Sequence, residues 1–336
     1  MPQLPSARGP LSESIVGCLR HAPGSGLTLP PIDDDPLGGD DLHLALYVLY
    51  ELSYRSFDDV DDGWERDADV AIARAALEDA FTETLVDTVG RVSAPDDPSD
   101  VSRALVELSE ANGPPLSRYL AREATLDQFR EFVIHRSAYT LKEADPHTFA
   151  MPRIDGRAKA ALVEIQADEY GGGRYERMHS TIFAATMHAL GLDDTYGAFL
   201  DRLPGATLAT VNLVSMFGLH RRWRGAAVGH LALFELTSPV PNRRYGNGLR
   251  RLGFGGAATH YYDEYVEADS VHDMIAAYDL AGSLVADQPD LAHDVLFGAE
   301  SLFVLEQRFA AALLGSWNAG RSSLLPEPAL SRAVGQ

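Results

Sequence analysis

Three side chains in the stretch 261–272 (YYDEYVEADSVH), Tyr265, Asp269 and His272, lie four and three positions apart. On a helix that spacing projects all three from one face. A carboxylate and an imidazole on successive turns offer oxygen and nitrogen donors suited to iron, manganese or zinc. One such pair is equally well a solvated aspartate beside a hydrogen-bonded core histidine, so the rest of the chain must answer it. Carboxylates and imidazoles recur in apolar, helix-like surroundings upstream, at Glu143, Glu169, His179 and Glu235. Glu235 lies in AVGHLALFELTSP, where an ionised carboxylate is expensive without a cation beside it, and a metal ion would supply one.

Glu169 and His179 are ten positions apart, close to three helical turns. They face one side only if the intervening Gly171, Gly172 and Gly173 unwind or bulge. Glu176 competes with Glu169. With His179 it forms a Glu-x-x-His pair, the spacing of ferritin-like di-iron bundles, and Asp269 with His272 repeats that spacing with aspartate. The residues alone leave both choices, Glu169 or Glu176, open.

The elements that must position these residues are helices. Apolar residues make up 46% of 336 residues, enough for a sizeable buried core. Long apolar runs predict helices at 40–57, 69–90, 100–112, 115–124, 126–143, 155–170, 174–191, 206–237, 244–253, 255–287, 289–298 and 299–316, with a short one near 196–200. No alternating strand pattern, repeat or heptad emerges, so the fold class is all-α. In the first buried helix Glu51 needs a partner, and Arg55 stands one turn on. Residues 1–40, rich in Pro, Gly and Asp, read as a flexible lead-in, and the tail after Ser322 reads as frayed. The SPVPN sequence at 238–242 reads as a breaker.

Charge and cysteine content narrow the partners. With 49 acidic against 28 basic side chains the net charge is -21, which repels phosphate backbones and anionic lipid, so neither nucleic acid nor membrane is expected as a partner. Cys18 is the sole cysteine, which removes disulfides and thiolate metal sites. A leader and a membrane span are both missing from the pattern, so a cytoplasmic location is expected.

The segments LKEADPHTFAMPR (141–153), ALVEIQADEYGGGRYERMH (161–179), FGLHRRWRGAAVGHLALFELTSPVPNRRYG (217–246) and YYDEYVEADSVH resemble the iron-containing redox enzymes of the haem-oxygenase-like di-iron oxidase superfamily. The resemblance spans roughly 40–317. It implies a haem-oxygenase-like helical bundle at 41–317, with accessory helices at 41–125 and a metal-binding core at 126–317, followed by a flexible tail at 318–336. It further implies iron ligands at Glu143, Glu169, His179, Glu235, Asp269 and His272, holding two irons that cycle between Fe(II) and Fe(III). The family's final His-x3-Asp-x2-His has lost its first histidine here, and Tyr265 stands in its place. A neutral imidazole binds iron(II) readily, whereas a phenol must first lose a proton of pKa about 10. Tyr265 is therefore read three ways: as filler, as a phenolate ligand of oxidised iron, or as a redox-active catalytic side chain.

The activity implied is that of an O2-dependent non-haem iron oxidase or oxygenase acting on a small organic substrate, a carboxylate-bearing one among the options. Its partners would be O2, an electron donor and, in a homodimer, a second copy. The rivals are a catalytically silent or single-metal scaffold, consistent with Tyr265, and a haem-binding or haem-degrading protein, against which the clustered carboxylates argue. The arginine groups Arg221, Arg222, Arg224 and Arg243, Arg244 would either grip a substrate carboxylate or balance surface acids. His188, His220, His230, His260 and His293 read as structural histidines, and Tyr261, Tyr262 and Met178 as core.

Overall fold

The computed structural model describes residues 1–90, 92, 95 and 97–327, the side chains of 266–271 excepted. Among the described residues there is no β-strand. The chain opens with α1 (Pro10–Leu19), α2 (Asp40–Glu51), α3 (Ala68–Val89), α4 (Val101–Ser109) and α5 (Leu116–Arg122). Next come α6 (Leu126–Thr140), the short α7 (Asp145–Thr148), α8 (Gly156–Glu169), α9 (His179–Ala189), α10 (Gly205–Leu219) and α11 (Arg224–Thr237). The last part comprises α12 (Pro239–Arg251), α13 (Ala257–Met274), a π-helical run at Ile275–Gly282, α14 (Ser283–Asp287) and α15 (Ala292–Asn318).

Helix α11 is the axis of the bundle. Its residues from Gly225 to Leu233 are all buried, as expected of a helix that is apolar all round. It packs on α15 by close backbone approach: a methyl at Gly229 would overlap the Val295 carbonyl, and one at Gly298 would overlap the Ala226 carbonyl. One apolar cluster joins α1, α2, α3, α8, α10, α11 and α15. A second, rich in aromatic rings, joins α5, α6, α9, α12 and α13 with the end of α15. The proposed ligands come from elements of both clusters.

Several expectations are corrected. Residues 1–40 are not a loose lead-in, because α1 buries Leu11, Ile15, Val16 and Leu19 on one face. Asp41 accepts hydrogen bonds from the Leu11 and Ser12 amides, each at 2.8 Å, so this helix start is capped from thirty residues downstream. The run 206–237 is two helices, since His220 is extended and Arg221–Trp223 form a 3₁₀ turn. The Arg153 guanidinium donates to the carbonyls of Gly218 and Leu219 and so takes up the end of α10. SPVPN does not open a loop: Ser238 caps the Phe234 carbonyl at 2.6 Å, and α12 starts directly with Pro239 in its first turn, where a missing N–H costs nothing. The two helices expected at 289–298 and 299–316 are one, α15 (Ala292–Asn318), which follows the turn Pro289–Leu291. The tail is also held at its start, where the Leu325 amide donates to the Arg202 carbonyl at 2.9 Å and Ser323 binds Glu131 and His135. The rest of that tail, 328–336, lies outside the described residues.

Glu51 does not pair with the Arg55 guanidinium. Its carboxylate receives Lys142 Nζ at 2.9 Å and the Tyr196 hydroxyl at 2.8 Å, with the Lys142 and Glu51 side chains at 1% and 0% exposure. The Lys142 ammonium also lies 4.1 Å from the Tyr54 ring centre. Arg55 instead stacks on Tyr196 and reaches Asp145.

Candidate metal centre

The proposed ligands other than Asp269 stand where an element begins, ends or bends. Glu143 follows α6 on a turn, Glu169 is the last residue of α8, and His179 is the first of α9. Glu235 lies in the last turn of α11 and His272 near the end of α13, just before the helix widens into its π run. A π segment changes the angular step of a helix locally and is common at functional sites.

The helix breaks between Glu169 and His179, at the three glycines where the sequence predicts unwinding or a bulge. Gly171, Gly172 and Gly173 take φ of +64°, +60° and +76°, a left-handed run open to glycine and costly for other residues. A methyl on Gly171 would lie 2.5 Å from the Arg177 carbonyl carbon and 2.6 Å from the Met178 nitrogen. The glycines thus fold the chain back on itself, and His179 Nδ1 ends 3.0 Å from Glu169 Oε2. Glu176 is exposed on the 3₁₀ turn Tyr175–Arg177, away from this pair.

Glu143, Glu169 and His179 are buried together, with one donor atom from each within 4.8 Å of the others. Glu143 Oε2, Glu169 Oε1 and His179 Nδ1 have no hydrogen-bond partner among the described residues, although buried polar atoms are nearly always paired. The short approach of His179 Nδ1 to Glu169 is off the direction of a hydrogen bond. Unspent lone pairs converging on one point fit a cation.

Protons stand in for that cation in the protein alone. Burial, then the charge of Glu169, pushes the Glu143 carboxyl up to about 8 against the opposing pull of His179 and two tyrosine hydroxyls. Burial lowers His179, but Glu169 and Glu143 outweigh it and raise the imidazole to about 9. A metal replaces such protons when it binds.

Tyr265 belongs to this cluster. Its hydroxyl donates to Glu143 Oε1 at 2.6 Å and lies 3.5 Å from Glu169 Oε2, while Tyr261 donates to the same Glu143 oxygen at 2.8 Å. Burial, then the charges of Glu143 and Glu169, holds the Tyr265 phenol well above its usual range. On sequence grounds Tyr261 reads as a core residue. Its position one turn before Tyr265 on the same face was the signal available.

Glu235 and His272 form a second group, with His272 Nδ1 3.9 Å from Glu235 Oε2. The third member expected there, Asp269, has its side chain outside the described residues. Asp168, which sequence reasoning missed, holds the other ring nitrogen: His272 Nε2 lies 2.8 Å from its Oδ2. A carboxylate on one imidazole nitrogen fixes the ring and presents the other, here Nδ1, which has no hydrogen-bond partner. Beside Glu143, Tyr261 and Tyr265 opens a cavity of about 530 Å³.

The remaining histidines with expected structural roles lie elsewhere. His220 binds Glu78 at 2.8 Å, His230 binds His147 at 3.1 Å, and His188, His260 and His293 are exposed.

Over residues 130–307 the chain matches the family described as iron-containing redox enzyme. The chain belongs to that family. Among curated proteins it is similar to the nitrosourea synthase of Streptomyces achromogenes subsp. streptozoticus, with 27% identity over 167 residues. That segment is 49% of this chain and 35% of the synthase, so the chain spans about a third of the length of that relative. Among solved structures it is similar to two crystal structures of a CADD-like protein of unknown function from Nostoc punctiforme PCC 73102, each at TM-score 0.52 and 14% identity. They cover 70% and 65% of this chain and 99% and 97% of theirs, and they bear out the haem-oxygenase-like helical fold. The family is described as iron-containing, and the buried cluster of Glu143, Glu169 and His179 is a candidate site for such an ion. Among the described residues no helix is long and apolar enough to cross a membrane.

Proposed function

We propose that the protein is an O2-dependent non-haem iron oxidase or oxygenase with two irons, one held by Glu143, Glu169 and His179 and the other by Glu235, Asp269 and His272. The observation that carries this reading is the convergence of buried, unspent donor atoms from Glu143, Glu169 and His179. Iron bound there would supply dioxygen binding and electron transfer. The chain's own groups do the rest. Tyr261 and Tyr265 both donate to Glu143 Oε1 and so aim Oε2 at the metal position. Asp168 sets the His272 ring, and the cavity beside Glu143 and Tyr265 holds an organic substrate against the centre.

Ferrous reconstitution without oxygen, followed by iron analysis and then oxygen uptake, tests this. Glu169→Ala is expected to lose about one iron and most oxygen uptake, while Glu176→Ala behaves as wild type. Oxygen uptake that survives Glu169→Ala, or iron loss on Glu176→Ala alone, overturns the assignment.

A single-iron protein is the second reading, favoured by Tyr265, whose hydroxyl is spent on Glu143 where a third imidazole would offer a lone pair. Tyr265→His is expected to raise iron retention against a chelator. Equal retention in wild type and variant removes this reading.

A further inference from the structure

The cavity beside Glu143 runs from a polar mouth between α5 and α12 to an interior lined by Phe132, Phe183, Leu233 and Phe234. Its charged wall groups are few. Arg136 and Glu306 neutralise each other through two parallel hydrogen bonds of 2.7 Å, and Glu143 belongs to the metal centre. Arg118 and Glu110 are exposed at the rim. Arg244 remains. It is half-buried, its Nη1 donates to Ser117 Oγ at 3.0 Å, and among the described residues it has no ion-pair partner.

On the cavity wall Arg136 is matched by Glu306, whereas Arg244 has no carboxylate of its own among the described residues. Acidic residues outnumber basic ones 49 to 28, and several arginines elsewhere do find carboxylates, among them Arg250 with Asp263, Arg202 with Glu327 and Arg308 with Asp35. The other arginines singled out in the sequence are placed differently. Arg243 is exposed and off the cavity wall, Arg222 stacks over Trp223, and Arg224 donates to Gln288. A half-buried guanidinium at the polar end of an apolar cavity retains most of its fork of donors for a ligand.

We infer that Arg244 is the specificity-determining anchor for a substrate that carries a carboxylate on an apolar body, the body extending along the phenylalanine-lined interior toward Glu143 and Tyr265. This rests on reading the cavity as the substrate site of an oxidase. Ser117 holds one side of the guanidinium and leaves the remaining donors for a charge-assisted, two-point grip on the carboxylate. The volume of about 530 Å³ suits a small-molecule ligand of this kind.

Calorimetry on the metal-free protein tests the anchor apart from any oxidase chemistry, using octanoate and its neutral counterpart 1-octanol as probes. Wild type is expected to bind octanoate about ten- to a hundredfold more tightly than octanol, the range of a hydrogen bond to a charged group. Arg244→Met should abolish that preference while leaving octanol binding unchanged, and Arg244→Lys should restore part of it. Wild type without a preference for octanoate, or Arg244→Met that keeps it, overturns the inference. If the methionine variant also loses octanol, the cavity itself has changed, and Arg244→Lys decides: octanoate preference kept supports the anchor, and preference lost with octanol binding intact or absent refutes it. Failure of oxygen uptake in the loaded protein would count against the oxidase reading alone, since this binding needs no metal.

Discussion

Replacing Gly171 and Gly172 by alanine, one at a time, separates backbone conformation from close approach. Both residues are left-handed, with φ of +64° and +60°, so each substitution carries a penalty of roughly 1–2 kcal/mol for the new Cβ. Around Gly172 there is no heavy atom within 4 Å, whereas the Gly171 methyl would sit 2.5 Å and 2.6 Å from backbone atoms of Arg177 and Met178. Backbone cannot rotate aside as a side chain can, so Gly171→Ala should cost about 4 kcal/mol or more, in the range that marks a forced rearrangement. For a chain of this length, with an unfolding entropy near 2 cal/mol/K per residue, each kcal/mol lowers Tm by about 1.5 °C. Gly172→Ala should therefore melt about 2 °C lower than wild type and Gly171→Ala about 6 °C lower. The displacement falls on the turn that brings Glu169 to 3.0 Å from His179, so Gly171→Ala should weaken iron binding by about ten- to a hundredfold, as loss of ligand orientation does elsewhere. Gly172→Ala should leave it near wild type. Differential scanning calorimetry of the metal-free proteins and competition with a chromophoric chelator measure both effects. Equal melting losses with equal iron affinities in the two variants would refute the argument.

Lys142→Met strips the counter-charge from a fully buried Glu51 and should destabilise the fold by about 3–5 kcal/mol, whereas Lys142→Met combined with Glu51→Gln should recover more than half of that loss; urea unfolding of the single and double variants would refute the coupling if the losses simply add. Burial holds His43 neutral down to about 4, and His135 and His147 down to about 3. An unfolded chain binds protons at all three once the pH drops below about 6.5, while the native state does not, so stability falls with pH from there toward 4 by about 1.4 kcal/mol per unit for each histidine. A urea midpoint unchanged between pH 7 and pH 5 would contradict this.

Helices were legible where apolar residues run long, as in α2, α6, α8 and α11, because burying a continuous apolar surface dominates their formation. The short α1 was not. In α1 only four apolar positions face the core, and the cap comes from Asp41, which no local pattern announces. Part of the candidate site was legible because glutamates and histidines in apolar helices are conspicuous, and Glu143, Glu169 and His179 do meet. The supporting groups were hidden by the opposite property. Asp168 looks like a surface acid, and its side chain is 61% exposed even while it holds His272. Tyr261 looks like any core aromatic until Glu143 is placed beside it. Arg55 was the near choice for Glu51, but tertiary packing brought a lysine 91 positions away.

That lysine bears on where this protein can be cut. The family match begins at residue 130 and takes in every proposed ligand, which suggests a transplantable module with an optional N-terminal half. Yet Lys142, next in the chain to Glu143, is neutralised by Glu51 on α2, well ahead of that boundary. A graft of the matched segment onto another N-terminal half would inherit the ligands and leave an ammonium stranded in the interior beside them. The unit that recombination, or a designer, must move intact is therefore larger than the unit that homology outlines, and it starts no later than α2.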